Sequence, residues 1–189
     1  MPSAPAGPVF GLVLAAGAGR RFGGPKALAR TPAGTPWLAL AVRALRAGGC
    51  AEVVVVLGAG AEEARGLVPA GATAVTAGGW ASGVAASLRT GLTALESSGA
   101  VAAVVVPVDT PDLPVAAVAR IVRRAGADAL VQATYAGAPG HPVLLGRAHW
   151  SPLAASVRGD VGARPYLIAQ GAESVECSDL WTGVDRDTR

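Results

Sequence analysis

Several residue types that particular ligands require are scarce in this sequence. Its 189 residues include four tryptophans, two tyrosines and two phenylalanines, so aromatic platforms for the bases of single-stranded nucleic acid are few. The formal net charge is +3, but the arginines are dispersed and are adjacent only at Arg20-Arg21 and Arg123-Arg124. The sequence therefore does not predict a nucleic-acid-binding protein.

Cysteines and long apolar runs are scarce as well. Cys50 and Cys177 are the two cysteines, and because their spacing matches no metal motif we expect free thiols. The apolar run 9–16 has no basic residue before it and is much shorter than the roughly 20 residues that cross a bilayer. We therefore expect a cytoplasmic protein with no membrane partner.

The residues of a folded core are abundant, since 51% of the chain is hydrophobic. This length suits one compact domain, predicted to span residues 1–189. Apolar runs typical of buried strands alternate with helical periodicity. The predicted strands are 9–15, 52–57, 101–106, 129–134, 142–145 and 174–177, and the predicted helices are 36–47, 82–95, 113–124, 148–157 and 163–170. This alternation predicts a single-domain three-layer α/β/α sandwich with a mostly parallel mixed sheet, whose last strand lies at an edge.

The chain has a single lysine, Lys26, which ends a glycine-rich segment, 14–26, after the first predicted strand. All other basic residues are arginines, so one ammonium group beside several glycines indicates a point charge placed for anionic oxygens. Backbone N–H groups, together with Arg21 and Lys26, are typical partners of phosphate oxygens. The segment therefore predicts a phosphate-binding loop.

Two common glycine motifs do not describe this loop. A dinucleotide-binding fingerprint needs its third glycine at position 22, where the chain has Phe22. A Walker loop needs its lysine directly after glycine and before serine or threonine, whereas Pro25 precedes Lys26 and Ala27 follows it. The remaining alternative to a phosphate loop is a tight turn with incidental basic residues.

The pattern Leu-Ala-Ala-Gly, three further residues, Arg-Phe-Gly, two residues and Lys resembles the first motif of the MobA-like nucleotidyltransferases. That family has a GT-A type fold, like the nucleotide-diphospho-sugar transferases, and its loop wraps a nucleoside triphosphate. The resemblance implies that Arg21 and Lys26 act in catalysis. It also implies that the nucleotide is bound by Leu14, Ala15, Ala16, Gly17, Gly19 and Gly23.

A second candidate segment follows the apolar run 101–106, which leads directly into Asp109 and Asp112. A carboxylate at the end of a strand beside a phosphate loop is well placed to bind Mg²⁺. We predict that Asp109 is this catalytic metal ligand, and the resemblance supports the assignment. The alternative for Asp109 is a local turn or helix cap, while Asp112 is predicted to cap the following helix.

Two later segments resemble the molybdopterin cytidylyltransferases within that family. The spacing from Trp80 to Gly91 implies that Gly83 and Ser87 lie near the nucleotide base, although by propensity alone this stretch is the start of an amphipathic helix. The Gly-His-Pro segment implies that His141 lines the acceptor pocket. A lone histidine of this kind is otherwise a packed core residue.

The segment 158–164 and the end of the chain complete the resemblance. Asp160 is implied to line the acceptor pocket or to be a second metal contact, and its alternative role is a helix cap. Asp185 and Asp187 match part of the family's closing motif, but charges near a chain end are usually solvated. We therefore predict no catalytic part for these two carboxylates.

The resemblance implies transfer of a nucleotidyl group, most simply CMP from CTP, to a phosphate-bearing acceptor of the molybdopterin type. Mg²⁺ would be the cofactor, pyrophosphate the second product, and a molybdoenzyme a possible partner for the product. The Ala15-Ala16-Gly17 sequence favours cytidylyl over guanylyl transfer. The alternatives are a non-catalytic cofactor-binding module or chaperone, a transferase for another phosphorylated acceptor, and an oxidoreductase on the same scaffold. Methylerythritol-phosphate cytidylyltransferases have a similar loop but lack the Gly-His-Pro and 158–164 segments.

Overall fold

The computed structural model describes residues 7–187, in which seven strands and six α-helices are found. The strands are β1 (Val9–Ala15), β2 (Glu52–Leu57), β3 (Thr73–Thr76), β4 (Ala102–Pro107), β5 (Leu130–Tyr135), β6 (Ala138–Gly146) and β7 (Glu173–Glu176). The α-helices are α1 (Trp37–Ala47), α2 (Ala61–Arg65), α3 (Val84–Glu96), α4 (Val115–Val122), α5 (Trp150–Ser156) and α6 (Arg164–Ala169). Within this range no helix has the length and apolar character needed to cross a bilayer.

The strands form one mixed sheet in the order β3-β2-β1-β4-β6-β5-β7. Strands β3, β2, β1 and β4 are parallel to one another, β7 is parallel to β5, and β6 is antiparallel to both of its neighbours. The predicted α/β class with a mostly parallel mixed sheet is confirmed. The last strand, β7, lies at the sheet edge as expected.

Helices cover both faces of the sheet because its central strands are apolar on both sides. In β1, the consecutive residues Leu12 and Val13 are fully buried and join different hydrophobic clusters, as the two-residue repeat of a strand requires. Leu38 of α1 and Ile121 of α4 pack on one face, and Leu92 of α3 packs on the other. The result is the predicted three-layer arrangement.

The sheet topology brings the predicted site segments to one edge. β1 and β4 are parallel neighbours, with Leu14 in register with Pro107, so the segments that follow them leave the sheet together. β6 runs the opposite way and therefore begins at that same edge. Val143 of β6 pairs with Val105, and His141 lies two residues before it.

Some local details differ from the sequence predictions. The sequence does not predict β3 and α2. β3 has four residues, none of them buried, and α2 has five, so neither is long enough to show a periodic pattern of apolar residues. The turn predicted at 137–140 is a two-residue turn at 136–137, because β6, predicted as 142–145, already begins at Ala138. Ala136 and Gly137 have φ angles of 51° and 78°, and the Glu176 carboxylate accepts hydrogen bonds from both of their N–H groups.

The prediction that Asp112 caps the following helix is wrong. α4 begins at Val115 after Pro114, and no side chain caps its N-terminus. The Asp112 carboxylate instead accepts a hydrogen bond of 2.8 Å from Nε of Arg186 and forms an ion pair with that guanidinium. Asp112 therefore contacts a residue 74 positions later in the sequence instead of capping the helix that follows it.

Candidate active site

The glycine-rich loop between β1 and Lys26 turns around one carbonyl oxygen. The N–H groups of Phe22, Gly23 and Gly24 all donate to the Gly19 oxygen, at 2.9, 2.9 and 3.1 Å. Gly19 has a φ of 58°, and a Cβ there would lie 1.9 Å from the Gly24 oxygen. Position 19 therefore requires glycine, both for its left-handed backbone and for the close approach of the returning chain.

The first half of this loop leaves its donors available. Among residues 7–187, the N–H groups of residues 17–21 have no hydrogen-bond partner, and all five residues line a cleft of about 650 Å³ at the sheet edge. Successive unpaired backbone N–H groups form a concave surface that favours anions. Arg20 and Arg21 add two guanidinium groups to the same wall.

Lys26 connects this loop to two other parts of the chain. Its ammonium group donates to Asp109 at 2.8 Å and to Asp187 at 2.7 Å. Burial lowers the pKa of Lys26, but the two hydrogen bonds and the two negative charges outweigh that effect, so the pKa is raised. Lys26 is therefore a permanent cation in the cleft, 14% exposed and held by two carboxylates.

Only one of the two carboxylate oxygens of Asp109 accepts a hydrogen bond within the described residues. Oδ2 accepts from Lys26, whereas Oδ1 is buried and has no hydrogen-bond partner among the described residues. A buried carboxylate oxygen without a partner is costly and is a hard ligand of the kind that divalent cations prefer. No group of three metal-ligating side chains surrounds a common point within residues 7–187. Any metal bound here would thus rely on fewer protein ligands and on the substrate's own oxygens.

The end of the described chain contributes two carboxylates for which the sequence predicts no catalytic part. Asp187 is paired with Lys26, and its carboxylate is 58% exposed. Burial, together with the negative charges of Asp109 and Asp187, raises the pKa of Asp185 to about 6, and Lys26 opposes the shift only in part. The only sequence signal for this placement is the closing Asp-x-Asp spacing, and the Thr188 that completes it lies outside the described residues.

Tyr135 fixes the path of this tail. The backbone of Gly183 lies so close to the Tyr135 ring that a Cβ on Gly183 would be 2.3 Å from Cδ2, and Trp181 packs edge-on against the same ring at 5.5 Å. The Tyr135 hydroxyl donates to the His141 carbonyl oxygen at 2.7 Å. One side chain therefore holds both the start of β6 and the tail that carries Asp185. No sequence pattern indicates this role.

The cleft contains nearly all of the residues that the sequence predicts for the site. Its lining includes Leu14, Ala15, Ala16, Gly17, Gly19, Arg21, Lys26, Gly83, Ser87, Asp109, His141 and Asp160. Gly23 is the exception, because its N–H turns inward to Gly19 and the residue does not line the cleft. Gly23 therefore serves the turn of the loop, with a φ of 90°.

Asp160 lines the same cleft as Lys26 and belongs to the loop between α5 and α6, which packs beside the start of α3. Gly83 has a φ of 112°, and a Cβ there would overlap the Gly159 backbone and lie 2.6 Å from a carboxylate oxygen of Asp160. The Gly159 oxygen accepts from the Ala85 N–H at 3.0 Å, which ties this loop to α3. In the described structure no hydrogen bond or ion pair links Asp160 to Asp109. The carboxylates that gather around Asp109 and Lys26 are those of the tail.

His141 separates the cleft from a second cavity of about 330 Å³, and it lines both. Burial lowers the pKa of His141 to about 4, although the negative charge of Asp109 opposes the shift. The imidazole is therefore neutral at pH 7. Leu14 and Val84 also line both cavities, so the two spaces adjoin directly.

Comparison with known proteins agrees with this geometry. Residues 11–175 match the MobA-like NTP transferase domain, and the chain belongs to this family. Nicotine blue oxidoreductase of Paenarthrobacter nicotinovorans is 34% identical over 193 residues, covering 95% of this chain and 92% of that protein. The resemblance predicted from the loop motif is thereby confirmed.

Solved structures show the same fold. Rv0371c of Mycobacterium tuberculosis H37Rv superposes with a TM-score of 0.82 at 27% identity, covering 97% of this chain and 94% of that one. A structure of Rv0371c in complex with manganese superposes with a TM-score of 0.73 at 24% identity, covering 90% and 88% of the two chains.

We predict that Lys26→Ala weakens triphosphate binding without unfolding the protein. A charge-assisted hydrogen bond contributes about 1.5–3 kcal/mol, so the loss is expected to be roughly 10- to 100-fold in Kd. Isothermal titration measures the affinity and circular dichroism the fold. Arg43→Ala removes an equal charge from an exposed position on α1 and is the matched control. Global unfolding of Lys26→Ala alone would instead identify Lys26 as a structural residue.

We also predict a pH-dependent stability gain for Asp185→Asn in metal-free buffer. Because the folded pKa is about 6 and the ordinary value is 3.8, the folded state disfavours the carboxylate, and this penalty grows as the pH rises from 4 through 6. After allowance for solvent screening, a gain on the order of 1 kcal/mol, or about 2–4 °C in Tm, is expected at pH 7.5.

The gain in melting temperature should shrink as the pH falls from 6 to 4 and approach zero only below the ordinary pKa of 3.8, where both states hold the proton. Asp128→Asn, at an exposed position, is the control and should show no such trend. A gain that is equal at pH 4.5 and 7.5 would contradict the placement of Asp185 among other carboxylates.

Gly183→Ala should displace the tail, because the new Cβ would overlap the Tyr135 ring. Misplacement of a site segment by about 1 Å costs roughly 100-fold in activity, so a loss of this size is expected. Gly171→Ala is the matched control, since Gly171 has a similar φ of 66° but no heavy atom within 4 Å of the position that a Cβ would take. Equal activity in the two variants would show that the tail contributes nothing to turnover.

Proposed function

We propose that this protein transfers a nucleotidyl group from a nucleoside triphosphate, CTP in the first instance, to a phosphate-bearing acceptor of the molybdopterin type, releasing pyrophosphate. The observation that carries the proposal is the convergence of unpaired loop N–H groups, Lys26 and the half-satisfied carboxylate of Asp109 in one cleft. This combination binds polyphosphate and neutralises its charge, which is the main demand of nucleotidyl transfer.

The phosphate chain has partners already in place. The N–H groups of residues 17–21 and the Arg21 guanidinium bind its oxygens, and Lys26 supplies a point charge. Asp187 now holds the Lys26 ammonium and is the more exposed of its two partners, so an arriving phosphate oxygen displaces Asp187 rather than Asp109. Gly83 and Ser87 line the same cleft, and we assign the base and sugar to that part of it.

A divalent cation fits this donor set. Oδ1 of Asp109 is buried without a partner among residues 7–187 and would offer such an ion a hard oxygen ligand. Such an ion would add positive charge at the phosphates and would stabilise the charge that develops during transfer. We propose Mg²⁺, with Mn²⁺ as an alternative supported by the manganese complex of Rv0371c. Asp160, predicted to line the acceptor pocket or to be a second metal contact, lines the cleft and stays a candidate for both roles.

The acceptor needs no general base from the protein. A phosphate monoester has a second pKa of about 6, so its attacking oxygen is already ionised at pH 7. His141 is neutral and lies between the two cavities, so it positions the acceptor beside the α-phosphate rather than removing a proton. Alignment of donor and acceptor for in-line attack is then the protein's main contribution. A cytoplasmic molybdoenzyme would receive the product.

A second candidate is an oxidoreductase, favoured by the 34% identity to nicotine blue oxidoreductase. The loop sequence counts against it, because position 22 is Phe22 and not the third glycine of a dinucleotide fingerprint. The Asp109 and Lys26 pair is also suited to polyphosphate rather than to hydride transfer. A non-catalytic nucleotide-binding module is the remaining alternative.

Pyrophosphate release tests these functions together. The purified protein is incubated with Mg²⁺ or Mn²⁺, molybdenum cofactor and CTP, GTP or ATP in parallel, and NADH and NADPH oxidation is followed in separate reactions. We expect pyrophosphate release with CTP but not with GTP or ATP. Lys26→Ala should abolish most of this release. Release with another triphosphate would change the base but keep the reaction class. Nucleotide binding without release would support the non-catalytic module, and nicotinamide oxidation would support the oxidoreductase.

A further inference from the structure

We propose that the Asp187 carboxylate competes with phosphate oxygens for Lys26, so that an arriving triphosphate displaces it and its return promotes the release of pyrophosphate. The inference rests on the proposed function, because it assigns a part in that reaction to a residue far from the phosphate loop in sequence. It is carried by the contacts of residues 184–187, which we call the strap.

Asp187 occupies a position that a phosphate oxygen would take. Its Oδ1 accepts from the Lys26 ammonium at 2.7 Å, and the residue lines the same cleft as the loop residues 17–21. The hydrogen bond from Lys26 and the positive charges of Lys26 and Arg21 lower the pKa of Asp187, so its carboxylate is ionised at neutral pH. Both cations that we assign to the phosphate chain therefore already act on one carboxylate of the protein.

Asp187 and a phosphate group compete because both are negatively charged. Of the three N–H groups of the Lys26 ammonium, one donates to Asp109 and one to Asp187. A phosphate bound by the third would lie next to the Asp187 carboxylate, and like charges at such a short separation repel each other. Asp187 is the more exposed of the two carboxylates, so it is the one that leaves.

The strap is held by contacts that are easily exchanged. Besides the pair with Lys26, Arg186 forms an ion pair with Asp112, and both of these side chains are about half exposed. Exposed ion pairs contribute little to stability because water and salt screen them. The Arg186 N–H also donates to the Asp109 carbonyl oxygen at 2.8 Å, a bond that water replaces at such an exposed position.

The strap carries little apolar burial and has a firm anchor before it. Val184 is its aliphatic side chain and is 62% exposed. Directly before the strap, Gly183 packs against the Tyr135 ring. Asp185 lines the second cavity and Asp187 the cleft, so the strap runs along both. Its release therefore exposes few apolar groups, and the preceding chain stays in place.

The same tether makes Asp187 return after transfer. Pyrophosphate then holds Lys26 and Arg21, while Asp187 stays attached to the chain four residues after Gly183. A short tether keeps a group at an effective concentration of about millimolar. Asp187 thus regains Lys26 whenever the pyrophosphate contact opens. This competition lowers the affinity for pyrophosphate and favours its release.

Calorimetry with inorganic pyrophosphate in metal-free buffer tests the competition without turnover. We expect Asp187→Asn to bind pyrophosphate about three- to fivefold more tightly than the unchanged protein, the size expected when a partly exposed ion pair no longer has to be broken. The inhibition constant of pyrophosphate and the KM for CTP, measured during turnover, should fall in the same direction. A residue that held phosphate or metal would show the opposite sign, weaker binding.

Three further variants assign the effect to the Lys26 contact. Asp179→Asn is the matched control, because Asp179 is similarly exposed and ion-paired but with Arg120, and lines neither cavity within residues 7–187. It should leave pyrophosphate affinity unchanged. Asp187→Glu keeps the charge and should keep the weaker affinity. In a Lys26→Ala background, Asp187→Asn should lose most of its gain, because the cation for which it competes is gone.

The inference is overturned if Asp187→Asn binds pyrophosphate no more tightly than the unchanged protein. It is also overturned if Asp179→Asn gives an equal gain, or if the gain persists in full without Lys26. Nucleotidyl transfer with a weakened Asp187→Asn variant would refute the competition and leave the proposed function standing. A Lys26-dependent gain without transfer from any triphosphate would support the competition and refute the proposed function.

Discussion

The ammonium group of Lys26 is the interaction on which the site depends. It joins the glycine-rich loop to Asp109 across 83 residues and to Asp187 across 161 residues. Three segments with no local relation in sequence therefore meet at one cation. Burial alone would lower the pKa of Lys26, and the anionic oxygens around it outweigh that effect. The site is thus built to exchange one set of anionic oxygens for another.

The segments at the ends of β1 and β4 could be predicted because their strands are unambiguous. Continuous buried valines mark β4, and the parallel pairing of β1 and β4 then places the loop and Asp109 at the same edge. The tail could not be predicted in this way. Its path from Trp181 to Asp187 has no periodicity and is set by packing against Tyr135 and by the Arg186–Asp112 ion pair. Such contacts depend on the tertiary structure and leave no local pattern.

The glycines of the loop illustrate a second limit of the sequence. Gly19 and Gly23 both belong to the motif, and the motif alone assigns both to nucleotide binding. In the structure the carbonyl oxygen of Gly19 accepts from three N–H groups, and one of these donors is Gly23. Gly23 therefore shapes the loop from within, while the unpaired N–H groups among the described residues of the loop include those of residues 17–21, which line the cleft. Composition identifies a glycine loop, but only backbone geometry shows which of its amides remain available.

The direction of β6 explains why one edge of the sheet borders both the cleft and the second cavity. In a fully parallel sheet, every strand would begin at the edge opposite to the phosphate loop. β6 is antiparallel to β4 and β5, so its first residues, including His141, lie at the edge where β1 and β4 end. The influence of the Asp109 charge on the pKa of His141 reflects this proximity. One reversed strand between β4 and β5 thus places the His141 imidazole in the wall that the cleft and the second cavity share.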